Sequence, residues 1–344
     1  MITPLKELVH HPFRHLRHAF QGMFLFLVAW TGWDFYRFYL TLLDPSATAV
    51  DRPPSVEAFL PISALLALRQ YVATGLYDPI HPAGLTLLLI ILASAVLFRR
   101  SFCSWICPIG AVNEAVSRLG QSLLRRWGHK AWVPRRGWAY GFSLIKFLLL
   151  LFFVYVIYVA MDIGQAIAFL QAPYNQVADI KMLLFFLEPS RITIIVLSLL
   201  ALLHLIIPNF WCRFMCPYGA LLGIVSKVSP TKLTRSPEGC VRCGTCRRSC
   251  LNGLDPMAMQ SVTKEQCTFC LACVEQCPRQ VLGVQTIGTG RLSLKKSSWC
   301  IAVGLVLLFS AGIILAKATG YWQGALTVDT IRQWMPLLDR LDHY

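Results

Sequence analysis

Cys240-Val-Arg-Cys-Gly-Thr-Cys-Arg-Arg-Ser-Cys250 and, sixteen residues further on, Cys267-Thr-Phe-Cys-Leu-Ala-Cys-Val-Glu-Gln-Cys277-Pro278 decide how this chain is read. Each run is C-x2-C-x2-C-x3-C. Two such runs in succession hold two [4Fe–4S] clusters: three close cysteines wrap one corner of a cubane, and the fourth ligand comes from the other run. The spacing assigns Cys240, Cys243, Cys246 and Cys277 to one cluster, and Cys267, Cys270, Cys273 and Cys250 to the other. Zinc is the competing reading, because C-x2-C pairs also make zinc sites. Zinc takes four ligands as two separated pairs, whereas here eight cysteines form two copies of one four-ligand run. One departure is visible: Pro278 follows Cys277, but Leu251 follows Cys250, which leaves the packing beside the second cluster open. The chemistry implied is electron transfer.

The rest of the composition says where such a module sits. The 344 residues are 56% hydrophobic and only 14% charged, where a soluble chain carries about a quarter. Several long apolar runs place most of the chain in a membrane. Thirteen cysteines in clustered x2 and x3 spacings argue for metal thiolates in a reducing compartment rather than disulfides. No small-residue cleavage site follows the first apolar run, so no cleavable signal is expected.

Taken in order, residues 1–18 are a basic, His-rich leader and 19–113 form a first membrane repeat. Residues 114–137 are a basic amphipathic segment, and 138–230 form a second repeat. Residues 231–290 are the two-cluster module, and 291–344 a last span with an amphipathic tail. Spans are expected at about 20–42, 82–98, 138–161, 192–207 and 297–316, with short outer segments at 58–76 and 162–190. The leader, the 99–136 loop and the 213–296 loop hold 23 of the 32 Lys and Arg but 6 of the 17 acids. The positive-inside rule therefore puts the N-terminus and the cluster module in the cytoplasm and the C-terminus outside. That asymmetry also accounts for the net charge of +15 without nucleic acid.

A repeat lies in the membrane part. Ala58-Phe59-Leu60 returns as Ala168-Phe169-Leu170, and Cys103-x3-Cys107-Pro108-x-Gly110-Ala111 returns as Cys212-x3-Cys216-Pro217-x-Gly219-Ala220. Both halves begin and end on the cytoplasmic side, so they are expected as parallel repeats about an axis along the membrane normal. Cysteines four apart share a helix face, and the following proline bends or ends the helix. Symmetry would bring Cys103, Cys107, Cys212 and Cys216 together at the cytoplasmic membrane face. Four thiolates there suit a third iron–sulfur cluster or copper(I); the competing reading is buried structural thiols. Cys300 reads as an ordinary buried thiol.

At the outer boundary stand Asp34, Arg37, Arg69, Asp78 and His81, ionisable residues of a kind that is costly in a membrane and usually functional. A quinone site needs a proton acceptor and a hydrogen-bond donor beside apolar walls, and these residues offer both. The competing reading is a structural Asp34–Arg37 ion pair, with His81 capping a helix before Pro82. His204 reads as a quinone contact, a proton relay or a packed core histidine. Lys146 is expected to snorkel to the cytoplasmic interface. Haem is not supported: the spans carry too few histidines for paired ligation and no C-x-x-C-H occurs.

Two C-x3-C-P motifs after membrane spans, followed by a two-cluster ferredoxin module, resemble the membrane polyferredoxins of bacteria. That family includes the quinol-dehydrogenase ferredoxin subunit of periplasmic nitrate reductase systems, the electron-donating maturation protein of nitrous oxide reductase, and a cytochrome oxidase assembly protein associated with copper reduction. The resemblance covers about residues 83–280 and implies an inner-membrane protein with redox partners on one or both faces, within a larger complex. The chain lacks the large outer flavin-binding domain of the nitrous-oxide type. It also lacks the extra outer domain of the oxidase-assembly type, though it shares that type's span after the module. The fold expected is an all-α polytopic membrane protein of five spans carrying a cytoplasmic α+β ferredoxin-like module. The function expected is electron transfer between the cytoplasmic face and the quinone pool or an outer partner. The alternative is an assembly factor that holds or reduces copper for another enzyme. The 317–344 tail is compatible with docking a partner in either case.

Overall fold

The computed structural model describes residues 12–44, 46, 50–129, 131–134, 136–287 and 292–341. Most of the expected leader, residues 1–11, lies outside them. The chain is mostly helical: α1 Pro12–Leu43, α2 Pro61–Thr74, α3 Pro82–Phe98, α4 Pro108–Arg126, α5 Arg136–Tyr155, α6 Ile163–Gln171, α7 Ala178–Leu187, α8 Arg191–Ile206, α9 Pro217–Val225, α10 Leu294–Ala318 and α11 Val328–Trp334, with shorter turns between them. Proline opens many of these helices because its missing N–H costs nothing in the first turn. Pro61, Pro108 and Pro217 all do so. Gly75 closes α2 in the left-handed conformation, and a reciprocal Asp162–Gln165 capping box opens α6.

Among the described residues, three helical stretches are long and apolar enough to cross a membrane: Pro82–Trp105, Gly137–Ala160 and Lys296–Ala318. A fourth is available if α7 and α8, bent by 75° at the break between them, act as one broken span. α1 covers the expected 20–42 span and has the length, but Asp34, Arg37 and a run of Trp and Tyr dilute its apolar character. Large apolar side chains stand exposed along α5 and α8, among them Leu151, Phe152, Ile192 and Ile195. Patches of that extent mark a surface meant for lipid or another protein.

The described chain divides into two compact units: residues 1–26, 91–150 and 197–308, and residues 27–90, 151–196 and 309–344. In the second unit, Phe35, Phe38 and Leu42 of α1 pack with Val56, Val177, Ile180, Ile331 and Leu338. Leu66 and Ala67 of α2 pack with Leu85, Ile157 and Ala166 and Leu170 of α6. The tail therefore uses its apolar face internally. Ile331 of α11 enters the first of these clusters, Arg332 Nη2 donates to Thr41 O at 3.2 Å, and Trp334 Nε1 donates to Gln176 Oε1 at 3.1 Å. Cys300, expected buried, is exposed on α10.

The first unit contains the α+β module. Its antiparallel sheet has the order β2-β1-β3, with β1 Thr231–Arg235, β2 Ser261–Val262 and β3 Leu282–Thr286. Leu233 stands opposite both Val262 and Val284, and all three are buried. That apolar face is the floor beneath the cysteine runs.

Candidate metal centre

In each cysteine run the loop curls because the residues on either side of the second cysteine are left-handed: Arg242 and Gly244 around Cys243, Phe269 and Leu271 around Cys270. For Arg, Phe and Leu this conformation is strained, and it turns successive backbone N–H groups into a concave anion-binding nest. Cys240, Cys243, Cys246 and Cys277 line one cavity, walled by Val241, Met257, Pro278 and Leu282. Cys250, Cys267, Cys270 and Cys273 line another, walled by Leu233, Val262, Phe269 and Leu271. Each cavity draws three cysteines from one run and one from the other. Where Pro278 walls the first, Leu254 and Pro256 stand beside Cys250 in the second.

Among the described residues no three His, Cys, Asp or Glu side chains converge at the spacing of a single metal ion. Two cavities, each lined by four soft sulfur donors drawn three from one run and one from the other, fit a pair of polynuclear iron–sulfur clusters better than zinc. Burial pushes the Cys250 thiol up to about 12 and the Cys212 thiol likewise to about 12. Ligation would hold these sulfurs as thiolates and release their protons.

The two C-x3-C-P motifs adopt one geometry. The N–H of Cys107 donates to Phe102 O, and that of Cys216 to Trp211 O, both at 2.9 Å and both five residues back. Each second cysteine is extended, and its proline starts the next helix, so the proline begins α4 or α9 rather than merely ending what precedes it. A left-handed residue stands before each motif, Arg99 and Asn209. Glycine follows at the same place in both: a Cβ on Gly110 would lie 2.0 Å from Cys103 O, and one on Gly219 would lie 2.6 Å from Arg100 Nη2.

Arg100 joins the motifs. Its Nε donates to Cys103 Sγ at 3.4 Å, its Nη2 to Cys212 O at 3.2 Å and its Nη1 to Glu265 O at 2.9 Å. Asn113 Nδ2 donates to Cys212 Sγ at 2.9 Å, and the Gly219 N–H to Cys216 Sγ at 3.2 Å. Burial pushes the Cys107 thiol upward, and the charges of Cys103, Cys212 and Cys216 add to it. The four thiols of the two motifs are thus mutual neighbours. The second cysteine run is fastened to the same place, with Ser104 Oγ donating to Thr268 O at 2.6 Å and Trp105 Nε1 to Phe269 O at 3.3 Å.

The leader reaches this centre, which the sequence did not suggest. Arg17, counted there only as part of the basic leader, is 3% exposed. It donates to Ser104 O at 3.1 Å and to both Glu114 oxygens at 2.7 and 2.5 Å. Burial alone would raise the Glu114 carboxyl, but hydrogen bonding and charge from Arg17, with Arg118 and Gln21, hold it well below the usual range. A lowered pKa gives stability that is complete above the unfolded value, about 4.3, and is lost as pH falls toward the folded one. Glu114→Gln should cost about 2 kcal/mol at neutral pH and flatten the acid limb of a stability–pH profile in detergent. An unchanged acid limb would show that the pair is not coupled to folding.

Lys146 does not snorkel. It is fully buried, and its Nζ finds no hydrogen-bond acceptor among the described residues. His204 accepts from the Trp211 N–H at 3.2 Å through Nε2, with Nδ1 2.7 Å from Leu200 O, a fully committed imidazole at the C-terminal end of α8.

The five outer residues are placed differently from one another. Asp34 and Arg37 form a part-exposed pair at 3.8 Å. Arg69 donates to Ile157 O and Met161 O. Asp78, not His81, is the capping group: it accepts from the N–H of Ile80 at 3.0 Å and of His81 at 3.3 Å. His81 Nε2 lies 2.7 Å from Asn175 O, and its Nδ1 lies between Arg52 Nη2 at 3.1 Å and Glu57 Oε1 at 3.4 Å. Burial pushes this imidazole down, but the hydrogen bond and charge of Glu57 outweigh it and raise it overall. Arg52, Glu57 and Asp179 complete a buried charged network that sequence reasoning missed.

Two four-cysteine cavities in an α+β module, beside four further thiols on the turns that follow two long apolar helices, define a polyferredoxin. Comparison with known proteins agrees. Residues 80–130 and 191–236 match a family described as a 4Fe-4S binding domain, and 232–278 match a 4Fe-4S dicluster domain. YccM of Escherichia coli, provisionally assigned to electron transport, is 34% identical over 92% of this chain and 87% of its own. The methylamine utilization ferredoxin-type protein MauN of Methylorubrum extorquens is 30% identical over 56% of this chain and 61% of its own. The ferredoxin-type protein NapH of Escherichia coli is 27% identical over 66% and 76%. No solved structure matches. The chain belongs to the membrane polyferredoxin family of iron–sulfur electron-transport proteins.

Proposed function

We propose that this protein is an electron conduit of three iron–sulfur clusters between the cytoplasmic face of a membrane and the quinone pool or an outer redox partner. Cys240, Cys243, Cys246 and Cys277 hold the outermost [4Fe–4S] cluster, close to solvent, since Cys243 is exposed. Cys250, Cys267, Cys270 and Cys273 hold the middle one. Cys103, Cys107, Cys212 and Cys216 hold a third at the ends of the membrane helices. Bound clusters supply the one-electron chemistry, and the chain's residues fix their order and exclude water. The observation that carries this reading is the seam between the second cysteine run and the first C-x3-C-P motif, where Arg100, Ser104 and Trp105 donate to the carbonyls of residues 265, 268 and 269. Neighbouring centres held by direct hydrogen bonds suit electron transfer between them. The stretches matched by the 4Fe-4S binding family include all four C-x3-C-P cysteines, which supports a cluster there and a repeated architecture.

In this reading five helices, α1, α3, α5, α8 and α10, cross the membrane, and the basic loops place the module and N-terminus inside and the C-terminus outside. Iron, sulfide and copper content of anaerobically purified protein tests the proposal. About twelve irons, falling to about eight when Cys103, Cys107, Cys212 and Cys216 become Ala, is the expected result. About eight in both, with copper lost from the variant, would instead make the protein a copper-handling assembly factor. About eight and no other metal would make these thiols structural.

A further inference from the structure

Lys146 on α5 and Arg100 at the end of α3 bring two cations into one buried place. Both are 1% exposed or less. Lys146 Nζ has no hydrogen-bond acceptor among the described residues, and its nearest ring, Phe147, has its centre 5.2 Å away. The charged groups acting on Lys146 are Arg100, Glu265, Cys216 and Cys103, and Lys146 in turn acts on Cys216. Two buried cations repel one another, and a buried ammonium without acceptors is costly unless opposite charge compensates it. Glu265, a partly exposed residue, supplies one opposite charge to Lys146, and the thiols of Cys216 and Cys103 supply others. Two of the C-x3-C-P thiols, Cys103 and Cys216, one from each motif, act on both cations.

We propose that Lys146, together with Arg100, is the counter-charge of the third cluster: a positioning residue that sets the charge of that site and so its reduction potential. The inference rests on the three-cluster reading above. Four thiolates, a [4Fe–4S] core at 2+ and two cations sum to zero. One electron received from the middle cluster, which is oxidised by one electron in giving it, leaves the site at minus one. Without Lys146 the same two states stand at minus one and minus two. An ammonium at this position therefore attracts the reduced state about twice as strongly as the oxidised one, and removing it lowers the potential. Net charge around a cluster is among the levers that set its potential. Arg100 also organises the turn through its hydrogen bonds, whereas Lys146 makes none, so its charge can be removed with less collateral change.

The test compares wild type, Lys146→Met and Lys146→Arg as whole proteins purified anaerobically in detergent. Iron and sulfide are counted, and each cluster is titrated with dithionite under EPR. About twelve irons in all three, with one cluster of Lys146→Met shifted to lower potential and Lys146→Arg close to wild type, is the expected result. If Lys146→Met loses the third cluster, recovery of its iron in Lys146→Arg supports the charge, and failure to recover overturns the proposal in favour of packing. Twelve irons and unchanged potentials in Lys146→Met overturn the counter-charge while leaving the three-cluster reading intact. Eight irons in the wild type overturn that reading itself.

Discussion

Arg52→Met should destabilise the purified protein by about 3–5 kcal/mol, the cost of removing one partner from a buried ion pair. Arg52 Nε donates to Asp179 Oδ2 at 2.7 Å, and its Nη1 lies 3.1 Å from Glu57 Oε1. Both carboxylates are essentially inaccessible, at 1% and 0% side-chain exposure. Without the guanidinium they would face each other across the same site with only His81 between them. The consequence would spread, because each partner is tied to a different element. Glu57 Oε2 accepts from the Gly84 N–H in the first turn of α3. Asn175, which His81 contacts, binds Ser63 Oγ of α2 at 2.5 Å and Leu170 O of α6 at 2.8 Å. Thermal unfolding in detergent is the measurement. Arg52→Lys should recover part of the loss, since a point charge cannot serve two carboxylates and an imidazole as a planar fork does. Arg52→Met combined with Glu57→Gln and Asp179→Asn should recover most of it. A loss below about 1 kcal/mol in the single variant would mean that water reaches the site and the network carries little.

That network shows where the sequence stopped being readable. Asp78 and His81 stood out because they flank an obvious apolar span. Arg52 and Glu57 lie in a polar, proline-rich stretch that reads as an outer loop, and Asp179 lies 127 positions from Arg52. Nothing local in either stretch announces that the loop folds inward. Lys146 was misjudged, and Arg17 passed over, for a related reason. A cation near the end of an apolar run ordinarily reaches for water, and only tertiary contacts reveal one that turns inward. By contrast, the cysteine runs were legible to the level of which four sulfurs share a cavity, because cubane ligation imposes its own local spacing. The spans at 82–98, 138–161 and 297–316 were legible from hydropathy, which needs no partner. The spans expected at 20–42 and 192–207 are both helices, α1 and α8, but α1 is diluted by Asp34, Arg37 and its aromatic run, and α8 reaches span length only together with α7, bent by 75° from it.

On the three-cluster proposal, Gly110→Ala should empty the C-x3-C-P site and leave the other two clusters in place, so that iron falls from about twelve to about eight per chain. The clash is with backbone: a Cβ at Gly110 would stand 2.0 Å from Cys103 O and 3.2 Å from Cys103 C. No rotamer relieves such a contact. Either the start of α4 moves, carrying Cys107 with it, or the turn holding Cys103 moves. Overpacking of this kind costs about 1–3 kcal/mol in a core that can adjust. Here the adjustment itself is the damage, because four sulfurs must meet one cluster within a few tenths of an ångström. Gly219→Ala probes the other copy. Its Cβ would meet Arg100 Nη2 at 2.6 Å, and that guanidinium is pinned by Cys103, Cys212 and Glu265, so it cannot swing aside freely. Gly22→Ala, with nothing within 4 Å of the new Cβ, is the control and should keep all its iron. Equal iron in Gly110→Ala and Gly22→Ala would show that the turn tolerates a shift, and the four thiols would then lose their claim to a rigid cluster. Loss confined to Gly110→Ala and Gly219→Ala would tie the third centre to the feature that both motifs share and that ordinary helix ends do not need: a residue without a side chain, three positions after the second cysteine, packed against Cys103 O in one motif and against Arg100 in the other.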